Sequence, residues 1–166
     1  MKKVLINLAL ILIGFVIYFL QANFFSWFSI GGIRPNLFVI YVLFIGLFGN
    51  RSMGIVYGAV WGIFLDLIYK TNVGINLIGL VLIGVIAILF NKNFSKDSRI
   101  TVMFMVLGTT IIFEVITYFI TYMLYSINVE ILSFLKILIV EIIYNILVTI
   151  IIYPLMQNVG YYLENE

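Results

Sequence analysis

The chain is a succession of apolar runs separated by short polar breaks, and few architectures can accommodate that much apolar surface. Val4 to Leu20 is interrupted only by Asn7, while Ile100 to about Ile127 and Ile131 to Met156 each exceed the roughly 20 residues that a bilayer crossing needs. Between them lie three shorter runs: Leu37 to Gly49, Gly54 to about Tyr69, and Val73 to Phe90. Only 10% of the 166 residues are charged, against about 25% in a soluble domain, and mean hydropathy is +1.24. These runs predict an all-α integral membrane protein, a six-transmembrane-helix bundle forming a single transmembrane domain over residues 1–166. The two longest runs must tilt or protrude.

The turns are marked in the sequence. Lys2 and Lys3 precede the first run, which is longer than a signal-peptide core and is followed by a poor cleavage site at Leu20-Gln21-Ala22, so a retained first helix is expected. Gln21 to Asn36 mixes aromatic and polar residues in the manner of a headgroup belt. Gly31-Gly32 and Arg34-Pro35 mark a turn, with Pro35 placed to open the second helix. Asn91 to Arg99 is polar enough to require water, and the break near Ser126 to Glu130 contains no strong helix breaker. With the N-terminus in the cytoplasm, Lys2, Lys3, Arg51, Lys92, Lys96 and Arg99 fall inside, while Arg34, Lys70 and Lys136 fall outside. Both termini are then cytoplasmic. A five-helix alternative would place the C-terminus outside.

The third run carries Gly54, Gly58 and Gly62 at four-residue spacing, with Asp66 one step further. Such residues line one face of a helix. Glycine inside a water-exposed helix costs about 0.8–1.0 kcal/mol relative to alanine, but in a bilayer small residues let backbones approach closely. The stripe therefore reads as a surface for helix packing or for a partner. Asp66 has two readings: an i,i+4 ion pair with Lys70, or a polar corner with Gly74 and Asn76 across the hinge.

Buried polar groups are the other candidates, because charge inside a membrane is costly and tends to face protein or water. Glu114, with Thr110, Thr117 and Thr121, forms one polar stripe; Glu141, Asn145 and Thr149, with Tyr144 alongside, form another. The two stripes can act as a proton or solute path or as interhelical hydrogen-bonding groups. The absence of histidine and cysteine excludes imidazole bases, thiol nucleophiles, disulfides and the commonest metal ligands. Glu114 and Glu141 are then the only candidates for an intramembrane catalytic pair, so no enzymatic activity, cofactor or metal is expected, and no nucleic-acid partner.

From Pro35 to about Gly84 the chain resembles the MreD family of the bacterial rod-shape system, in Pro35, in Gly54, Gly58, Gly62 and Asp66, and in Gly74 and Asn76. The resemblance implies a six-helix, multi-pass protein of the bacterial plasma membrane with cytoplasmic termini. Its implied function is that of a non-enzymatic scaffold of the cell-wall elongation machinery that binds MreC and works beside MreB, RodA and a class B penicillin-binding transpeptidase. MreD-like proteins are also similar in fold to the S-components of energy-coupling-factor vitamin transporters, which makes a vitamin-uptake protein the rival. S-components carry an Ala-x-x-x-Ala surface on the first helix, whereas here Ala9 is followed four residues on by Ile13. Self-association is left open.

Overall fold

Leu37–Phe48 carries no charged or amide side chain, so as a helix it has no face to offer to water and must meet either lipid or protein. The computed structural model, which describes residues 2–49, 52–69, 74–93, 97–125 and 130–164, encloses it completely: all twelve residues are buried. It is the second of six long helices among the described residues: α1 (Lys2–Phe19), α2 (Leu37–Phe48), α3 (Met53–Ile68), α4 (Ile75–Asn93), α5 (Arg99–Tyr125) and α6 (Ile131–Glu164). α2 contacts all five others. At 1.5 Å per residue it is about 18 Å long, well short of a hydrocarbon core of about 30 Å. Protein surrounds it on every side.

Among the described residues three helices are long and apolar enough to cross a membrane: Val4–Trp27, Arg99–Leu124 and Ile131–Gly160; α2, α3 and α4 are shorter apolar helices. The long ones carry much of the outward apolar surface, including Leu5 and Leu12 on α1, Phe104 and Met123 on α5, and Leu132 and Ile151 on α6. Large apolar faces of this kind are stable against lipid but not against water. The chain is a membrane protein.

Two local readings need correction. The helix does not end at Leu20: a π-helical turn, Leu20–Phe24, and a short α-helical piece, Phe25–Trp27, carry it through much of the expected headgroup belt. Polar side chains there satisfy the chain locally, with Asn23 donating to the Phe19 carbonyl and Ser26 to the Ala22 carbonyl. The turn itself is at Gly31 and Gly32, both at positive φ, between the bridged pair Ile30 and Ile33. Pro35, buried, lies outside α2; Asn36 is the N-cap, its side chain accepting from the Val39 N–H at 3.4 Å. An asparagine at that position supplies an acceptor that the proline ring cannot.

α1 rests on the bundle edge through a few specific contacts. The Tyr41 hydroxyl donates to the Leu10 carbonyl at 2.6 Å, and Tyr57 reaches the Asn7 carbonyl and side chain. Trp61 lies against Gly14, where no Cβ would fit, and its ring makes an edge contact with Phe15. At the opposite side, the Tyr153 hydroxyl and the Gln157 amide of α6 donate to the Asp97 carbonyl, tying the α4–α5 connection to α6.

Candidate functional site

The glycine stripe faces α4, and the contact is backbone on backbone. A Cβ built on Gly58 would lie 2.5 Å from the Leu80 carbonyl oxygen, and one on Gly62 would lie 2.5 Å from the Leu77 Cα. Gly54 meets Gly46 of α2 and Gly84 of α4 together, so three helices converge on residues without side chains. Tyr57 and Trp61, on the neighbouring face of α3, pack toward α1. Ile63 and Leu67 point outward, 43% and 64% exposed.

Asp66 ends the stripe and begins the connection to α4. The residue is 1% exposed. One oxygen accepts from the Gly74 and Leu77 N–H groups at 2.9 and 3.1 Å; the other accepts from the Asn76 N–H and side-chain amide at 2.9 and 2.8 Å. An anion set on the unpaired N–H groups that open a helix satisfies them and is favoured by the helix dipole. Gly74 has φ +125°, a conformation that L side chains rarely adopt, so glycine is needed for the chain to turn onto the carboxylate. This is the polar corner of Asp66, Gly74 and Asn76. The alternative pairing with Lys70 lies outside the described residues.

A second polar assembly sits where the α1–α2 loop meets α5 and α6. The Asn145 side chain accepts from the Asn36 N–H at 2.8 Å and donates to the Thr110 hydroxyl at 2.9 Å, and the Gln21 side chain accepts from the Leu37 N–H at 2.9 Å. The start of α2 is thus held by the π-helical turn and by α6. Glu141, 6% exposed, is surrounded by Glu114, Asn36 and Asn145, and its Oε1 has no hydrogen-bond partner. The two polar stripes face each other across this contact, with Thr109, Thr110 and Thr149 buried beside it and the Thr117 hydroxyl buried and unpartnered. Gln21 and Asn36 are participants that the helix-face reading passed over. The signal for Asn36 was its place directly before an apolar run, an N-cap position; Gln21 carried none.

The Glu114 and Glu141 carboxyl groups meet within hydrogen-bond reach, so Glu114 can serve Glu141 as a donor. Glu114→Gln preserves that donor, so protein level and cell shape are expected to stay near wild type. Glu114→Leu removes it and should lower abundance, as quantitative immunoblotting of membranes would show. Loss of shape at normal abundance in Glu114→Gln would mean that ionisation, not hydrogen bonding, is what the cell uses.

The fold and these sites define a polytopic helical membrane protein whose distinctive groups hold helices together. Its sequence matches the family model of the rod shape-determining protein MreD over residues 2–159. The chain belongs to the MreD family, and its role is in rod-shape determination. No curated protein and no solved structure gives a match.

Proposed function

We propose that the protein is a non-enzymatic scaffold of the side-wall elongation machinery that binds MreC within the bilayer and helps to position peptidoglycan synthases. The observation that carries this reading is family membership along nearly the whole chain. It is supported by the use of the polar groups: Asp66 caps α4 and Asn145 joins α2 to α5, which are structural tasks. The extended apolar faces of α1 and α6 supply surface on which a partner helix can pack. In this reading all six helices lie within the bacterial plasma membrane and both termini are cytoplasmic. MreB, RodA and a class B transpeptidase belong to the same assembly.

The rival reading is a vitamin-uptake S-component, and the two separate in one experiment. The tagged chain, purified from its host in mild detergent, is expected to bring MreC with it, detected by mass spectrometry. Recovery of an ATPase module instead would move the assignment to vitamin uptake. Absence of MreC at normal expression of both proteins would remove the scaffold reading.

A further inference from the structure

At the loop end of the bundle a cavity of about 390 Å³ is lined by Gln21, Arg34, Asn36, Tyr69 and Glu141, with Gly32, Ile33, Pro35 and Ile137. A water molecule occupies about 30 Å³ of liquid volume, so the space suits something larger than one or two waters. Two charged side chains face it from different elements. Arg34, in the loop before α2, is exposed, donates to the Ser26 hydroxyl at 2.8 Å, and has no ion-pair partner among the described residues. Glu141, ten residues into α6, carries the unpartnered Oε1.

The chemistry of the cavity is specific. The side-chain oxygens of Gln21, Asn36 and Asn145 already accept backbone N–H groups. Among the lining residues the Glu141 Oε1 is the buried side-chain oxygen without a hydrogen-bond partner, and a single such acceptor suits an N–H donor and not a hard cation that requires six or more oxygens. Among the described residues no group of three or more acidic, histidine or cysteine side chains could hold a metal ion. A buried acceptor without a donor carries a desolvation cost, which a cationic donor would relieve. Arg34 calls for the opposite charge, since its planar fork fits phosphate and carboxylate. The stretch between α1 and α2 exposes Phe24, Trp27 and Phe28, the last two 89% and 57% exposed, aromatic residues of the kind that sit at the lipid headgroup level.

We propose that this cavity binds a zwitterionic group, a primary ammonium seated on the Glu141 carboxyl with a phosphate or carboxylate on Arg34. Such chemistry has two sources, an aminophospholipid headgroup or a free small molecule such as phosphoethanolamine. A trimethylated ammonium has no N–H to donate and is the matched control.

The full chain, reconstituted in phosphatidylcholine nanodiscs, is titrated with phosphoethanolamine and with phosphocholine by calorimetry. Separately, native mass spectrometry compares retained phosphatidylethanolamine with retained phosphatidylcholine. Binding of free phosphoethanolamine but not phosphocholine assigns a soluble ligand. Selective retention of phosphatidylethanolamine alone assigns the headgroup. In either case Glu141→Gln and Arg34→Gln should each weaken binding by about tenfold or more, the effect of losing a charge-assisted hydrogen bond. Arg34 is exposed and its replacement leaves the buried network intact, so it serves if Glu141→Gln fails to fold. No selectivity of either kind, or equal binding in Arg34→Gln, would overturn the site.

Discussion

Asp66→Asn is expected to lower the melting temperature of the purified protein markedly and to reduce its level in the membrane, although the side chain barely changes size. In the wild type both carboxylate oxygens accept, four hydrogen bonds in all, three from the backbone that opens α4 and one from the Asn76 amide. A carboxamide offers one oxygen. Its NH₂ must face two of the four donors, and each buried donor left without an acceptor costs about 1–3 kcal/mol. The charge that complements the α4 dipole disappears as well. The expected loss is therefore several kcal/mol in a site that is 1% exposed, read as a shift in thermal unfolding in detergent by intrinsic fluorescence. Asn76→Ala removes one donor only and should be milder, because the carboxylate keeps its three backbone contacts. Equal melting temperatures for wild type and Asp66→Asn would mean that the carboxylate does not cap α4.

What could be read from the sequence depended on whether a residue's neighbours lay along the chain or across it. The spacing of Gly54, Gly58, Gly62 and Asp66 is a property of one helix, and the hinge returns the chain at once, so the α3–α4 surface follows from local rules. The polar faces of α5 and α6 were visible for the same reason. Gln21 was not, because its partner is the Leu37 N–H across the Gly31-Gly32 turn, and no periodicity links a π-helical turn to a helix start sixteen residues on. The central position of α2 was the larger omission. A run of twelve apolar residues could have been a short membrane crossing or a helix enclosed by protein, and hydropathy scores the two alike; only the surrounding helices decide, and α2 contacts every one of them. The cavity has the same origin: Arg34 and Glu141 lie on elements more than a hundred residues apart.

Gly58→Ala is expected to destabilise the protein although alanine is the better helix former. In an open helix the exchange would gain about 0.8–1.0 kcal/mol. Here the added methyl would sit 2.5 Å from the Leu80 carbonyl oxygen and 2.8 Å from its carbon, backbone atoms that cannot rotate away. Ordinary contact begins near 3.4 Å, so α3 and α4 must separate by about 1 Å, and overpacking of this kind costs roughly 1–3 kcal/mol. The parting would also disturb Gly54 and Gly62, which touch α2 and α4 at the same surface. In lipid no hydrophobic term compensates, since the exposed faces meet a solvent as apolar as leucine. Gly58→Leu should be more severe, with abundance and rod shape lost together. Gly108 on α5 provides the control, for nothing lies within 4 Å of the Cβ position there; Gly108→Ala should be neutral or stabilising. Val60→Leu, at a position 52% exposed on α3 itself, should also be tolerated. The opposite signs expected at Gly58 and Gly108 separate close packing from any general intolerance of side chains. If both alanine variants melt with the wild type, the α3–α4 backbone contact is not what holds the bundle.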